Sequence, residues 1–339
     1  MQHFIKSIHW LKNEIRGWML LRGFLVLLPS SILFMWTQNS YWLEVSVLTM
    51  SALIVEEKIQ TTIVGTVLHG LAVTILFYFL FFTHAYPLAF IMLSTLAAMA
   101  FIWLISKGEH LRPLGTWIFI PAIILSIEFS AKTPHLINWR EALIFLPYLL
   151  SALFPVFLLT VFKQIKNWQQ GASIPIAKLA YLADFGEKKP YLESMFAMAM
   201  GVSISACLVE YLPLDNGQWM IWGVGSVITG DINTTPQKFQ QRLLGVSIGV
   251  PIGIFLGQCV IPSTRFDLTL TTTCLFLTLV AFRRYVLAYT LRCIFVTTAV
   301  MLITHSKSIA FERFSHVVLG GAIGWGCVLF CHFLKIEKH

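Results

Sequence analysis

Arg292 lies where an arginine is hard to accommodate. It falls near the middle of the apolar run 285–304. Insertion scales put the free energy of a central arginine at about 2.5 kcal/mol or more, so its side chain should face a cavity or a partner. We expect Arg292 to line a transport pathway and to neutralise a carboxylate. The alternative is a structural ion pair with an acid such as Glu210 or Asp231.

Arg242 is the second candidate for binding an anion. It lies about one turn before Gly245, near the start of the apolar run 237–261. A snorkelling topology anchor is the alternative. The same run has a glycine at every fourth position, which predicts one small-residue face and a close approach of another helix, by packing or by sliding. These residues are Gly245, Gly249, Gly253 and Gly257.

Three titratable residues are candidates for coupling transport to protons. His69 lies within an apolar run, and histidine titrates near neutral pH. Glu57 and Asp231 fall at matching breaks between helices, where a carboxylate could exchange a proton. A hydrogen-bonded packing histidine and ordinary loop acids are the alternatives.

Tryptophans near the same breaks have the chemistry to stack on an aromatic substrate. Trp219 and Trp222 share a helix face at i, i+3 spacing, and Trp42 matches Trp219 in the other half. Asn233 follows the second break and is a further candidate for substrate contact. An interfacial aromatic belt is the alternative.

The elements that carry these residues are apolar runs long enough to cross a bilayer. The chain has 339 residues, of which 57% are hydrophobic and only 12% are charged, whereas about 25% of residues are charged in soluble proteins. We predict an all-α membrane protein of about twelve transmembrane helices. The predicted spans are 18–37, 42–55, 60–83, 86–106, 112–130, 142–162, 191–213, 218–230, 237–261, 266–282, 285–304 and 315–334.

Two of these spans, 42–55 and 218–230, are short for a hydrocarbon thickness of about 30 Å at about 1.5 Å per residue. Broken backbone exposes N–H and C=O groups that only protein or a wet cavity can satisfy. Short helices at matching places in two halves therefore indicate a transporter site. A tilted or re-entrant packing element is the alternative.

Basic residues predict the topology. The net charge of +8 is carried by short tracts between apolar runs, without a nucleic-acid-binding motif, so we expect no nucleic acid partner. With the N-terminus inside, seventeen Lys and Arg residues fall on the cytoplasmic side and five on the other. The positive-inside rule then places both termini in the cytoplasm, and we expect a bacterial inner-membrane protein.

An internal repeat predicts two parallel six-helix halves. Its best alignment pairs Trp42 with Trp219, while Thr62 stands opposite Arg242. Each half has an even number of spans, so both enter the membrane in the same sense, and transporter sites lie between such halves. We divide the chain into an interfacial amphipathic segment (1–17), the first half (18–162), a cytoplasmic linker (163–190) and the second half (191–334).

The sequence lacks several patterns that would indicate catalysis. Walker A, HExxH and CxxC patterns are absent, and the six cysteines do not have zinc spacing. We therefore expect no enzyme activity, no metal and no cofactor.

The second half resembles the fusaric-acid-resistance-like family. The resemblance covers about residues 191–334 and is weak over 18–162. It rests on Trp219, the polar break at Gly230 and Asp231, Arg242-Leu243-Leu244-Gly245, the basic-aromatic turn at Arg283, Arg284 and Tyr285, and a closing helix with Arg313 and Gly320.

The resemblance implies export of small organic anions, including aromatic carboxylic acids, often alongside a periplasmic adaptor. The chain is also similar to plant anion channels of related architecture. We expect an exporter in the lipid bilayer, driven by the proton gradient and assembled as a homodimer. The alternatives are an anion channel of the same fold, a membrane subunit of a larger export assembly, and a polyamine or cation exporter that uses Glu57 and Asp231.

Overall fold

The computed structural model describes residues 14–132, 139–170, 178–182, 184–188, 191–212, 214, 216–228 and 234–336. Most of the predicted interfacial segment lies outside these residues, as do Asp231 and Asn233. The described part of the chain is nearly all helical and contains no β-strand.

The apolar runs form helices because a helix satisfies every backbone polar group within one segment, as a bilayer requires. The α-helices are α1 (Gly17–Thr37), α2 (Tyr41–Glu44), α3 (Ser46–Ile59), α4 (Ile63–Thr83), α5 (Pro87–Trp103), α6 (Arg112–Lys132), α7 (Trp139–Gln169), α8 (Leu192–Tyr211), α9 (Gln218–Val227), α10 (Thr235–Phe255), α11 (Arg265–Leu277), α12 (Tyr285–Thr304) and α13 (Lys307–Ile336). Two 3₁₀ turns (Leu104–Lys107 and Glu109–Leu111) precede α6, and a π-helical turn (Leu256–Val260) extends α10.

Nine helical stretches of the described chain are long and apolar enough to cross a membrane. The predicted spans at α3, α9 and α11 are shorter. The ten residues of α9 extend about 15 Å, roughly half the hydrocarbon thickness. Short helices in both halves are therefore confirmed, whereas twelve spans in two repeats stay a prediction.

Two helices extend beyond the predicted apolar spans. Helix α7 continues to Gln169, beyond the span 142–162, so the beginning of the predicted linker 163–190 is helical. Helix α13 begins at Lys307, before the span 315–334, and includes Arg313. Hydropathy ends a span at charged residues, whereas helical hydrogen bonding continues through them. Both extensions therefore fall where charges begin.

The chain forms two compact units, each built from separate stretches of sequence. The first unit comprises Met1–Ser46 and Gln240–Phe314, and the second comprises Val47–Phe239 and Ser315–His339. The first thus contains α1, α2, most of α10, α11 and α12. Each unit combines segments from both predicted halves, and the division into sequential halves stays a prediction.

In each unit, a helix of one predicted half packs against a helix of the other half, and the same positions pair in both units. In the first unit α1 packs against α11, and in the second unit α8 packs against α5. Each pair joins the first helix of one half to the fourth helix of the other. Helix α11 also packs against α12, as α5 packs against α6. This pattern is what a duplicated six-helix element predicts.

In the first unit, a short segment before α1 pairs with the turn that follows α11. The N–H of Arg16 donates to the carbonyl of Ala281 at 2.7 Å, and the N–H of Arg283 donates to the carbonyl of Glu14 at 3.0 Å. The Nε of Arg284 also lies 2.7 Å from the Glu14 carboxylate. We call residues 14–16 the N-terminal strap.

In the second unit, a corresponding segment before α8 pairs with the turn that precedes α6. The N–H of His110 donates to the carbonyl of Phe185 at 3.0 Å, and that of Glu109 donates to the carbonyl of Glu187 at 3.2 Å. Gly108 has a φ of +152°, and the Phe185 carbonyl oxygen lies where a Cβ at this position would fall. Only glycine fits both conditions. The end of the predicted linker is therefore hydrogen-bonded to the turn before α6.

Candidate functional site

The glycine face of α10 packs against α12. A Cβ added at Gly245 would lie 2.5 Å from Cδ1 of Tyr289, and one added at Gly249 would lie 2.7 Å from the carbonyl oxygen of Thr290. The same closeness continues at Gly253 and Gly257. The expected close approach of another helix is confirmed, and α12 is that helix.

This contact places Arg242 of α10 and Arg292 of α12 around one aromatic ring. The guanidinium carbon Cζ of Arg242 lies 4.6 Å from the centre of the Tyr289 ring, and that of Arg292 lies 5.9 Å from it. Both distances are within the range of a cation–π interaction. Arg242 is 3% exposed, Arg292 9% and Tyr289 2%. Both predicted arginines thus meet at one buried site in the first unit.

The turn after α11 fixes the side chain of Arg292. Its Nε donates to the hydroxyl of Thr278 at 3.3 Å, and its Nη2 donates to the Thr278 carbonyl at 3.4 Å. Ala281 and Arg283, which pair with the N-terminal strap, belong to the same turn. The strap therefore supports the turn that holds one of the two arginines.

A third arginine, Arg313 of α13, lies in the same region of the first unit. It is buried, lies beside the Cys293 thiol, and is within electrostatic reach of Tyr289 and Arg242. Its position follows from the early start of α13. Arg313 was expected only as part of the closing helix, so its place near the two candidate arginines is an addition to the predicted site.

Within the described residues, neither Arg242 nor Arg292 forms an ion pair with a carboxylate. Glu210, considered as a partner for Arg292, instead accepts from His84, whose Nδ1 lies 3.0 Å from its Oε1. A buried charge is stable only when it is paired or well hydrogen-bonded. The site is therefore rich in positive charge and suited to an anion.

His69 lies in the second unit, buried between α3 and α4. Its Nε2 lies 3.3 Å from the hydroxyl oxygen of Ser51, and its Nδ1 has no hydrogen-bond partner in the described part of the protein. The ring is 2% exposed. The contact of Nε2 with Ser51 agrees with a packing histidine. The Nδ1 atom is available for a proton, as a coupling residue requires.

The buried carboxylate at the first break belongs to Glu56, whereas the predicted Glu57 is exposed. The Nζ of Lys163 on α7 donates to Glu56 Oε1 at 2.7 Å. The Glu56 side chain is almost fully buried, so it needs this cation or an equivalent partner. The sequence could not distinguish the two neighbouring acids, because the phase of α3 decides which one points inward.

The predicted aromatic residues do not all lie together. Trp219 and Trp222 stack in the second unit, with ring centres 5.8 Å apart, and both are partly exposed. Trp42 is partly exposed in the first unit, the unit of the arginines. Asp231 and Asn233 lie outside the described residues. Substrate contact by any of these residues stays a prediction.

Sequence reasoning missed Tyr289 and Thr278. A signal for Tyr289 was available, since Tyr285, Tyr289 and Arg292 recur at four- and three-residue spacing and so share a helix face. The rings of Tyr285 and Tyr289 stack at 5.7 Å, which confirms that face. Thr278 had no such signal, because its role depends on how the chain turns after α11.

One sequence pattern that resembles a hydrolase motif has a structural role. Residues Gly245 to Gly249 fit G-x-S-x-G, which in hydrolases forms a sharp turn from a strand into a helix. Here the pattern lies inside the continuous helix α10, with both glycines against α12 and Ser247 exposed. A nucleophile elbow is therefore not formed at this position.

Comparison with known proteins concerns the second half of the chain. Residues 203–327 match the profile of a family described as fusaric acid resistance protein-like. No curated protein and no solved structure matches the chain. The matched segment contains the glycine face of α10 and all three buried arginines. The predicted resemblance is therefore confirmed, and residues 203–327 are similar to the fusaric acid resistance protein-like family.

Proposed function

We propose that this protein exports small organic anions, aromatic carboxylic acids among them, across the bacterial inner membrane. The observation that carries the proposal is the pair of buried guanidinium groups around Tyr289, neither of which pairs with a described carboxylate. A carboxylate entering the site would supply the missing negative charge. The family match and the nine membrane-length helices support transport as the setting.

The two arginines offer complementary modes of binding. Arg292 already uses one N–H of Nε and one of Nη2 on Thr278, which orients its plane and leaves three of about five N–H donors for a ligand. Arg242 keeps its Nε without a hydrogen-bond partner in the described chain. Guanidinium groups form short, charge-assisted bonds to carboxylates. Arg292 is thus oriented by Thr278, while the Nε of Arg242 is open to an anion.

Coupling to the proton gradient is a second part of the proposal. Among the predicted coupling residues, His69 has the most suitable environment, because it is buried and has one ring nitrogen without a described partner. Glu57 is exposed, and Asp231 lies outside the described residues. We assign His69 as the residue that gains and loses the coupled proton.

The polyamine or cation exporter would use Glu57, which is exposed, and Asp231, which lies outside the described residues. The buried acid beside them, Glu56, already binds Lys163 at 2.7 Å. An anion channel would conduct the anion under voltage alone, and an assembly subunit would give no flux. One flux experiment therefore separates both from an exporter.

The test is uptake of an aromatic carboxylate, such as radiolabelled benzoate, into inside-out membrane vesicles. An imposed pH gradient is compared with an imposed voltage alone. Replacing Arg292 by Gln removes one charge-assisted contact worth about 1.5–3 kcal/mol, so we expect gradient-driven uptake to fall roughly tenfold to a hundredfold. Arg265→Gln is the matched control, because Arg265 is exposed at the start of α11.

Each outcome has a distinct meaning. Gradient-driven uptake that is lost in Arg292→Gln and kept in Arg265→Gln supports the exporter. Flux driven by voltage alone would support the channel. Equal uptake by the wild type and Arg292→Gln would remove the anion role of Arg292. The absence of flux for benzoate, a dicarboxylate and a polyamine would favour a membrane subunit of a larger assembly.

A further inference from the structure

The charge at the arginine site exceeds what a single carboxylate neutralises. Arg242 and Arg292 each carry a full positive charge, because the guanidinium group does not lose its proton in proteins. Their Cζ atoms lie 4.6 and 5.9 Å from the centre of the same ring, so one small molecule can contact both. A monoanion in this place would leave one net positive charge buried.

The surrounding groups are neutral and compensate only in part. The Tyr289 ring interacts with both cations, and Thr278 accepts two hydrogen bonds from Arg292. Neither group carries a negative charge. The hydroxyl of Tyr289 and the Nε of Arg242 are buried and have no hydrogen-bond partner in the described chain. Both are donors that a further acidic group of a ligand would satisfy.

Arg313 is a third cation in the same region, and the charge of the Arg242 and Arg292 pair does not depend on it. It is buried and lies within electrostatic reach of Arg242 and Tyr289. No described carboxylate beside Arg242 or Arg292 reduces their positive charge, so the local potential favours an anion of higher charge.

We propose that the ligand of this site is a dianion with two acidic groups on a short spacer, one group bound by Arg242 and the other by Arg292. The inference rests on the proposed function and narrows its substrate class to dicarboxylates and similar doubly charged acids. The shared ring limits the spacer to about the size of a benzene ring or a short alkyl chain. The Tyr289 hydroxyl is assigned as an additional donor to the ligand.

The test compares matched acids that differ by one carboxylate. Uptake into inside-out vesicles is measured for benzoate against terephthalate and for butyrate against succinate. Binding is measured in parallel with purified protein in detergent, as the rise in melting temperature with each acid. For the wild type we expect a preference of about tenfold or more for the diacid of each pair, since one charge-assisted contact is at stake.

The single variants give the decisive result. In Arg242→Gln and in Arg292→Gln one charge remains, so binding and uptake of the diacid should fall further than those of the monoacid, and the preference for the diacid should disappear. Arg265→Gln should keep the wild-type ratio. If Arg242→Gln does not fold, Arg242→Lys keeps the charge but loses the planar fork, and it should keep the diacid preference with weaker binding.

Failure of this inference is distinct from failure of the proposed function. Equal uptake and equal thermal shifts for monoacid and diacid in the wild type would overturn the dianion assignment and leave anion export standing. An unchanged ratio in both arginine variants would also overturn it. Absence of uptake and of thermal shift for all four acids would instead remove the proposed function itself.

Discussion

Tyr289 is the residue around which the site is organised. Its ring contacts the guanidinium groups of Arg242 and Arg292, and Gly245 provides the space in which the ring lies. An aromatic face is the strongest neutral partner that a buried cation has, although it replaces only part of the lost hydration. The arginines are thus stable enough to remain buried and still gain from binding an anion.

His69 yields a prediction at the same scale. We expect His69→Gln to keep the contact with Ser51, because glutamine also offers a donor and an acceptor, but to lose the ability to gain a proton. Uptake driven by a pH gradient should fall about tenfold or more, the effect typical of losing a positioned proton carrier. Exchange of labelled for unlabelled substrate without a gradient should stay near the wild-type rate.

The matched control for this prediction is His305→Gln, because His305 is exposed at the end of α12. It should leave both rates unchanged. Gradient-driven uptake that survives in His69→Gln would mean that His69 is a packing residue, and that proton coupling must be sought elsewhere.

At the scale of elements, the α10–α12 contact depends on the absence of side chains. In a membrane, helices associate through close packing because the surrounding lipid provides no hydrophobic drive between them. Four glycines on α10 let the backbone of α12 approach, and Thr298 donates to the carbonyl of Gly253 at 3.2 Å. The two arginines meet because this approach is close.

We therefore expect Gly249→Ala to destabilise the protein. The added Cβ would lie 2.5 Å from Cβ of Cys293 and 2.7 Å from the carbonyl oxygen of Thr290, so the helices must separate. Overpacking of this kind costs about 1–3 kcal/mol. The measurement is the thermal unfolding midpoint of the purified protein in detergent, which should fall.

Gly326→Ala on α13 is the control, because nothing lies within 4 Å of a Cβ at that position. Alanine alone favours a helix over glycine by about 1 kcal/mol, so this variant should be neutral or slightly more stable. If both variants change the midpoint in the same direction and by the same amount, the close packing of α10 against α12 is not what stabilises the site.

The N-terminal strap and the corresponding segment before α8 form the second kind of contact between elements. In each unit a short extended segment before a first helix pairs with the turn between a fourth and a fifth helix of the other predicted half. Glu14 is almost fully buried, and its salt bridge to Arg284 anchors this contact in the first unit. The N-terminal strap is thus connected by hydrogen bonds to the turn that positions Arg292.

For the whole molecule, the positive-inside rule predicts the orientation in the membrane. We expect Gln170 on the cytoplasmic side and Ser308 on the outer side, and both are exposed. In a variant without the six native cysteines, Ser308→Cys should react with a membrane-impermeant maleimide in intact cells. Gln170→Cys should react only in opened vesicles. The reverse pattern would invert the predicted topology and place both termini outside.

The glycine face of α10 bears on the predicted homodimer. Small-residue faces can hold a helix of a second copy, but α10 packs this face against α12 within one chain. A dimer would therefore need another surface. Homodimer assembly and docking of a periplasmic adaptor stay predictions that rest on the family resemblance.

The sequence alone determined the features that depend on neighbouring residues. Hydropathy and charge identified the helices, the short elements at α3 and α9, and the arginines at positions where charge is unfavourable. The spacing of Gly245 to Gly257 predicted a close helix contact, which is confirmed. These properties follow from composition and from the 3.6-residue period of a helix, so they can be read locally.

Only the tertiary structure decided which helix meets the glycine face, that the Tyr289 ring contacts both arginines, and that Glu56 is the buried acid in place of Glu57. It also brought Arg313 of the closing helix near the two arginines. In a membrane both the lipid-facing and the buried sides of a helix are apolar, so hydropathy does not tell one from the other. Helix contacts are decided by packing between segments far apart in the chain, and a single sequence does not encode that choice in any local pattern.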